Sequence, residues 1–322
     1  MNILVVRNDK LGDFITALPA IYLLKQHNLE NKIVVCIAPL NEALAKSCDF
    51  IDEIIVDREE ESIFWLASKI KEQNIDASVT LFSNTRVAFA QYLARIPKTI
   101  APATKIAQIF YTDRIKQRRS EVKMAEFEYN IELAKELFST MNTTYPQPLL
   151  TFEDAKKVYD IFCMNNDIEK EIVVFHVGFG GSSDANLTLD EYENLIRNLL
   201  LQKTYQVMMS FGPDEKELYE AMQERFIGED IVFYLSLDGL VYFAKLISQC
   251  RLFVSTSTGT YHLASLVGTP TLTFFADSLF ASAKRWKAVG DTRLQKHYML
   301  PEVGEKRESM LQEIRLSLLH LD

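Results

Sequence analysis

Short apolar runs alternate with amphipathic segments along most of the chain. The run from Asn2 to Val6 precedes a polar loop and a segment with apolar residues every three or four positions, which predicts strand, loop and helix. Pro19 is compatible with that helix only near its first turns. Further strands are predicted at 32–37, 53–56 and 77–81, and helices at about 40–46, 62–72 and 83–95. This alternation indicates a parallel sheet covered on both faces.

A second block of the same kind begins after residue 148. Before it, Met124–Met141 predicts an amphipathic helix, and Asn142–Pro148, with two prolines and no apolar periodicity, is the expected linker. Strands are predicted at 172–176, 206–211, 231–234, 252–254 and 272–275, and helices at 188–201, 214–226, 237–248 and 309–321. Because 322 residues exceed one usual core, we expect two Rossmann-like α/β domains, residues 1–148 and 149–304, while the helix within 305–322 could pack back on the first.

The stretch from Leu252 to Pro270 has the strongest chemical signal. An apolar strand gives way to hydroxyl side chains, then to Gly259 and a short helical pattern that Gly268 closes. A helix that starts at a glycine turn presents free N–H groups and its positive dipole end, which suits an anion. The alternative is an ordinary strand-to-helix turn with Ser and Thr as helix caps.

Composition limits the function classes. The formal charge of −9 and pI near 5.2 argue against a general nucleic-acid binder, which needs a basic surface. The first apolar run lacks the flanks of a signal peptide, and no run approaches the roughly 20 residues that span a bilayer, so we expect a cytoplasmic protein. The four cysteines are scattered, with no metal-ligand spacing, which predicts free buried thiols and no metal site.

One segment reverses the charge of the chain. Between Arg95 and Lys123 there are eight basic residues and two acidic ones, a local excess of six positive charges. A solvated surface loop would explain this run. It could also bind an anionic substrate or a membrane face, and the side chains expected to do so are Arg114, Lys116, Arg118 and Arg119.

In open α/β sheets, ligands bind beyond the carboxyl ends of the strands. Four loops occupy such positions: 7–13, 177–186, 211–215 and 255–260. None has the G-x-G-x-x-G dinucleotide pattern, the P-loop pattern or an Asp-x-Asp metal clamp. A diphosphate ligand would therefore be held by helix N-termini, hydroxyl groups and basic side chains.

The segments ILVVRNDKLGDFITALPAIYLLK, GFGGSSDANLTLDEY and STGTYHLASLVGTPTLTFF resemble glycosyltransferase family 9, the ADP-heptose:lipopolysaccharide heptosyltransferases. The resemblance covers nearly the whole chain. It implies a GT-B fold, in which two Rossmann-like domains face each other across a cleft, with the acceptor on the first and the nucleotide-sugar on the second. It also implies inverting transfer without a metal or other cofactor.

Asp13 matches the Gly-Asp aspartate of the family, which implies a general base that takes a proton from the acceptor hydroxyl. The alternative role of Asp13 is that of a helix N-cap. Arg7 and Lys10 flank it and are expected, with the basic segment above, to bind the acceptor.

The family's Asp-Thr-Gly-x-x-His motif holds the donor diphosphate, and Thr258, Gly259 and His262 match it. Its neighbours Ser257 and Thr260 are predicted to join the same site. His262 could instead be a buried core residue that braces the turn. Glu215 matches an acidic residue near the nucleoside ribose, although a solvated helix glutamate would fit as well.

The chain departs from the family pattern in two places. Ser257 replaces the usual aspartate, and the usual Lys-x-Trp is missing around residues 185–187. The charge of that lysine could be supplied by Arg7, Lys10 or the backbone N–H groups of Gly180 and Gly181. From the resemblance as a whole, we expect a glycosyltransferase that moves heptose from ADP-heptose to an anionic glycolipid such as the lipopolysaccharide core, with contact to the inner membrane. A nucleotide-sugar epimerase and a catalytically silent binding subunit are the alternatives.

Overall fold

The computed structural model describes residues 1–104, 106–179 and 186–321. The chain divides into two compact units, Met1–Pro146 and Gln147–Asp322. The division falls inside the predicted linker, two residues before the expected boundary. No helix in the described part of the chain combines the length and apolar character needed to cross a bilayer.

The first unit alternates strands and helices from its first residues. In chain order they are β1 (Asn2–Arg7), α1 (Leu11–His27), β2 (Lys32–Ile37), α2 (Glu42–Lys46), β3 (Glu53–Val56), α3 (Ile63–Glu72), β4 (Ala77–Thr80), α4 (Thr85–Ala94), β5 (Lys98–Pro102), β6 (Asp113–Ile115) and α5 (Glu126–Lys135). A short 3-10 helix, Ile106–Phe110, precedes β6. The predicted strands and helices up to residue 95 are confirmed within a few residues.

The first sheet has the strand order β3-β2-β1-β4-β5-β6, and all its pairs are parallel. Residues 3–6 of β1 are buried on both faces because helices cover the sheet on each side, which explains the continuous apolar run. The order reverses direction between β1 and β4. This is the doubly wound arrangement, whose ligand position is the carboxyl edge at that reversal.

Helix α1 passes through Pro19, which is the ninth of its seventeen residues and not near its start as expected. One side of α1 packs on α5. There the buried side-chain amide of Asn130 donates to the backbone carbonyl of Thr16 at 3.1 Å and to the Thr16 hydroxyl at 3.2 Å. A proline in a helix frees backbone acceptors, and neighbouring polar groups compensate for them. The carbonyl that lacks its donor here is that of Ile15, and the bonds from Asn130 hold α1 to α5 at the adjacent residue, Thr16.

The second unit repeats the alternation. Its elements are α6 (Ala155–Asn165), β7 (Ile172–His176), α7 (Leu189–Leu200), β8 (Gln206–Phe211), α8 (Lys216–Arg225), β9 (Ile231–Leu235), α9 (Leu240–Ile247), β10 (Leu252–Thr256), α10 (Gly259–Leu266), β11 (Thr271–Ala276), α11 (Ala283–Trp286), β12 (Gln295–Leu300) and α12 (Glu305–Leu319). The sheet order is β12-β11-β10-β7-β8-β9, again fully parallel. The reversal lies between β7 and β10, so both units share one doubly wound topology.

Helix α12 closes the core of the second unit. Its Ile314 and Leu318 are almost fully buried among the core residues of that unit. The apolar face of α12 therefore packs on its own unit, whereas the sequence analysis expected that it could pack on the first. The sequence could not reveal this, because an amphipathic pattern identifies a buried face without identifying the surface that covers it.

The cysteines are free thiols. Cys36, Cys48 and Cys250 are buried, as predicted, and Cys163 is partly exposed. No cluster of three or more His, Cys, Asp or Glu side chains suited to a metal ion occurs in the ranges given above.

Candidate functional site

Each unit places one of the predicted loops at the reversal point of its sheet. In the first unit, the loop after β1 carries Asp9 and leads into α1, whose first turn carries Asp13. In the second unit, the loop after β10 leads into α10 and carries Ser257 and Thr258. Doubly wound sheets bind ligands at these positions. Each unit therefore has its own candidate site.

Asp13 lies in the first turn of α1 with its side chain 22% exposed. Arg7 Nη2 donates to Asp13 Oδ1 at 2.5 Å. Lys10 is the N-cap residue of α1, so the alternative role of Asp13 as the cap is wrong. A carboxylate that is fixed by one cation and still open to solvent can accept a proton from a bound hydroxyl group.

Arg7 is the centre of a buried ionic network. Its side chain is 3% exposed, and besides Asp13 it contacts Asp9 (Nε to Oδ1, 2.9 Å) and Glu126 (Nη1 to Oε1, 3.5 Å). Burial lowers the pKa of Arg7, but these three carboxylates more than offset the effect and the pKa is raised. The burial of Arg7 therefore favours a role in orienting Asp13 over the predicted direct contact with the acceptor.

The network continues to the basic segment. Glu126, at the start of α5, is 3% exposed and also forms an ion pair with Arg119. The guanidinium of Arg119 donates twice to Gln117 Oε1, at 2.9 and 2.8 Å. Arg119 is therefore part of the scaffold behind Asp13.

Sequence reasoning missed Asp9 and Glu126. Acidic residues are common in surface loops and in the first turns of helices, so neither position is distinctive in the sequence.

The remaining predicted cations stay at the surface. Lys10, Arg114, Lys116 and Arg118 are exposed. Arg118 pairs with Glu121 at 3.1 Å, whereas Arg114 donates from Nε to the carbonyl of Tyr111 at 3.3 Å. The basic segment thus contains two kinds of cation: Arg119, which is partly buried and paired with Glu126, and exposed side chains that can meet an anion.

In the second unit, β10 ends at Thr256, and Thr258 is the N-cap of α10. The hydroxyls of Thr258 and Thr260 lie 2.8 Å apart, and Ser257, Gly259 and Thr260 are partly exposed. The first N–H groups of a helix have no intrahelical acceptors, and Gly259 adds no Cβ in front of them. The structure thus brings Ser257, Thr258, Gly259 and Thr260 together as the hydroxyl-rich helix start that the sequence predicted.

His262 lies one turn into α10 and is 3% exposed. Burial, aided by His297, lowers the pKa of His262 to about 4, so the imidazole is neutral at neutral pH. Among the residues that the structure describes, its Nδ1 atom has no hydrogen-bond partner. A buried polar atom without a partner is unusual, and a ligand at the start of α10 could supply one.

Glu215 is held in place beyond β8. Its Oε2 accepts from the N–H of Gly212 at 2.7 Å and lies 4.0 Å from His176 Nε2. The carboxylate sits so close to Gly178 that a Cβ there would be 1.9 Å from Oε1. Burial lowers the pKa of His176, whose Nδ1 lies 3.1 Å from the hydroxyl of Ser210. The alternative of a freely solvated glutamate is therefore wrong.

Several predictions lie outside the described residues. Gly180 and Gly181 belong to the range 180–185, as does Ala185, where the family pattern is broken.

His176 was missed by sequence reasoning, which took it only as the last residue of a strand. No local pattern marks it, because its interest comes from the neighbours that β8 and α8 supply.

The comparisons with known proteins cover nearly all of the chain. A protein of Haemophilus influenzae that carries the provisional name of glycosyltransferase is 34% identical over 98% of this chain and 93% of its own length. E. coli ADP-heptose lps heptosyltransferase II superimposes with a TM-score of 0.81 and 18% identity, covering 99% of both chains. E. coli heptosyltransferase WaaC, solved with ADP, gives a TM-score of 0.75 and 17% identity over 98% of this chain and 99% of its own.

These structures share the fold of two parallel α/β units, which is the GT-B class expected from the sequence. The family model described as glycosyltransferase family 9 (heptosyltransferase) matches residues 63–309. Together with the 34% identical relative, this match covers most of both units. The chain belongs to glycosyltransferase family 9 and is a glycosyltransferase.

Proposed function

We propose that the protein transfers heptose from ADP-heptose to an anionic glycolipid of the lipopolysaccharide-core type, with inversion at the anomeric carbon and without a metal. The observation that carries the proposal is Asp13, a partly exposed carboxylate held by a buried arginine at the reversal point of the first sheet. The heptosyltransferase names of two structural relatives support the choice of sugar, and the ADP bound to one of them supports the nucleotide.

In the proposed reaction, Asp13 takes the proton of an acceptor hydroxyl as its oxygen attacks the anomeric carbon. The new carbon–oxygen bond forms on the face opposite the bond to the β-phosphate, which breaks and releases ADP. Arg7 fixes the carboxylate by a short ionic hydrogen bond from a buried position. Because Arg7 is itself held by Asp9 and Glu126, the geometry of the base does not depend on the substrate.

The donor diphosphate is proposed to lie at the start of α10. Backbone N–H groups, the hydroxyls of Ser257, Thr258 and Thr260, and the free imidazole nitrogen of His262 would meet its oxygens. A neutral His262 can serve as a donor without adding charge. Glu215 would accept from the ribose hydroxyls, since its position is already fixed by Gly212.

The exposed cations Lys10, Arg114, Lys116 and Arg118 are proposed to attract the anionic acceptor. A lipid-anchored acceptor would bring the protein to the cytoplasmic face of the inner membrane. Replacing these cations should raise the acceptor KM and flatten its salt dependence while donor binding is unchanged.

Calorimetric titration of ADP, UDP, GDP and NAD, without divalent metal, tests the donor site. We expect ADP alone to bind, and Gly259→Val to abolish that binding because a branched side chain would block the helix start. Binding of another nucleotide in place of ADP would contradict the proposed donor.

Transfer from ADP-heptose in the presence of EDTA tests the reaction. Asp13→Asn should lower kcat by at least about a hundredfold with ADP affinity unchanged, since general-base catalysis contributes about that much. Asp49→Asn, at an exposed loop aspartate, is the matched control. Product from donor alone would indicate an epimerase, and nucleotide binding without transfer to any acceptor would indicate a silent relative.

A further inference from the structure

An apolar ridge stands exposed on the first unit. Tyr92 is 59% exposed, Ile106 71% and Ile109 58%, and the half-buried rings of Phe89 and Phe110 lie beside them. The ring centroids of Phe89 and Phe110 are 5.3 Å apart, and those of Tyr92 and Phe110 are 5.7 Å apart. These five residues are the apolar ridge. A contiguous exposed patch of this kind marks an interaction surface more often than scattered single residues do.

The scaffold below presents the ridge to solvent. The 3-10 helix 106–110 is anchored through Ala107 and through Tyr111, which are buried against Ala88 of α4. Ser83 Oγ donates to the Tyr111 hydroxyl at 3.0 Å and fixes the end of the segment. In a 3-10 helix, residues three apart lie on one face, so Ile106 and Ile109 point the same way. The inner side of the segment is therefore packed while its outer side carries the isoleucines.

Exposed basic residues lie close to the ridge along the chain. Arg95 follows α4 and bonds through its N–H to the carbonyl of Tyr92 at 3.1 Å. Arg114 reaches back to the carbonyl of Tyr111 at 3.3 Å, and Lys116 is exposed two residues further on. This is the segment whose local charge is positive in a chain of net charge −9. Apolar and amphipathic aromatic side chains beside basic ones suit the interface of a bilayer that carries anionic lipids.

We propose that the apolar ridge, with Arg95, Arg114 and Lys116, is a docking surface for an anionic lipid bilayer. The isoleucines and rings enter the boundary between headgroups and acyl chains, and the cations contact lipid phosphates. Since the whole chain carries a formal charge of −9, an anionic bilayer repels it overall, and the local excess of positive charge favours docking through this segment. The purpose of docking rests on the proposed glycolipid acceptor, which would lie in the same bilayer.

Vesicle sedimentation of the full chain, with no donor or acceptor present, tests the proposal. We expect binding to vesicles rich in phosphatidylglycerol and much less to phosphatidylcholine alone. The double variant Ile106→Asp/Ile109→Asp should lower the partition coefficient by at least about tenfold, because two apolar side chains no longer leave water. Leu201→Asp and Ile227→Asp, at residues 80% and 82% exposed in the second unit, are the matched controls and should bind like the wild type.

A second variant tests the charge. Arg114→Glu/Lys116→Glu should lower binding to phosphatidylglycerol vesicles about tenfold or more and remove its salt dependence. Failure of the wild type to bind these vesicles, or equal binding of the wild type and the isoleucine variant, would overturn the proposal. So would a wild-type dimer in sedimentation velocity that the isoleucine variant converts to monomer, since a second copy would then cover the ridge. If the wild type binds these vesicles but shows no transferase activity, the proposed reaction is refuted and the docking proposal stands.

Discussion

Replacing Gly178 by alanine should displace the carboxylate of Glu215. The added Cβ would lie 1.9 Å from Oε1 and 2.3 Å from Oε2, far inside van der Waals contact. Gly178 does not have a positive φ, so its backbone accepts an alanine without strain. The flexible end of Glu215 must therefore move, and it loses the hydrogen bond from the Gly212 N–H.

The magnitude follows from that bond. A hydrogen bond to a charged group contributes about 1.5–3 kcal/mol, and the displaced carboxylate recovers part of this by hydration. A Gly→Ala change at a compatible backbone site returns about 0.4–1 kcal/mol through the unfolded state. We expect Gly178→Ala to lower the free energy of unfolding of the second unit by about 1 kcal/mol. In a Glu215→Ala background the same change should be neutral or stabilising, because the obstructing carboxylate is gone.

Urea unfolding in a Trp65→Phe background provides the assay, since Trp286 then reports on the second unit alone. Gly212→Ala is the matched control: its Cβ would lie 3.5 Å from Glu215 Oε2, an ordinary contact, and the N–H donor is kept. A coupling energy near zero between the Gly178 and Glu215 substitutions would refute the described position of the carboxylate. If Glu215 also meets the ribose as proposed, Gly178→Ala should weaken ADP binding while Gly212→Ala does not.

Three further predictions concern stability. Arg7→Met should cost the first unit about 3–5 kcal/mol, because buried carboxylates lose their shared cation, and the exposed Arg118→Met should cost under about 0.5 kcal/mol. Urea unfolding in a Trp286→Phe background, followed by Trp65, measures both, and equal effects would contradict the network. Burial raises the pKa of Asp9 to about 6 although Arg7 opposes it, so between about pH 4 and pH 6 the folded state binds a proton that the unfolded state releases. Stability from this group therefore falls as pH rises through that window, and a slope that Asp9→Asn leaves unchanged would argue against it. Ile314→Ala should lower the unfolding free energy of the second unit by about 2–5 kcal/mol, whereas the exposed Arg315→Ala should change it little; a small loss at Ile314 would mean that α12 is not part of that core.

The sequence predicted the alternation of strands and helices well wherever apolar runs are uninterrupted. It missed α6 (Ala155–Asn165) and β12 (Gln295–Leu300) in the second unit. It also missed β5 (Lys98–Pro102) and β6 (Asp113–Ile115), which lie inside the basic segment. Prolines and charged side chains interrupt the pattern of β5 and β6. Both strands are short, β6 lies at the edge of the sheet, and such strands are defined by pairing with a neighbour more than by their own residues. The predicted helix 124–141 shrinks to Glu126–Lys135 for a related reason, since local periodicity does not show where tertiary packing ends.

At the candidate site, the loops were predictable and the partners were not. Hydroxyl groups before Gly259 mark an anion-binding helix start in the sequence itself, and the structure groups them as expected. The distinction between Arg7, a buried positioning residue, and Lys10, an exposed cation three residues later, depends on Glu126, more than a hundred residues away. Long-range contacts of this kind decide which charged side chains are available to a substrate.

The burial of α12 also affects the order in which the chain can fold during synthesis. The first unit is contiguous, and the partners of its central strand, β2 and β4, are complete by residue 80, so this unit can fold while the second is still being made. The second unit needs Ile314 and Leu318, which follow all its other buried core residues in the chain. Its apolar core should therefore stay open until α12 has been synthesised, and this interval is when the nascent second unit is most exposed to aggregation and to chaperones.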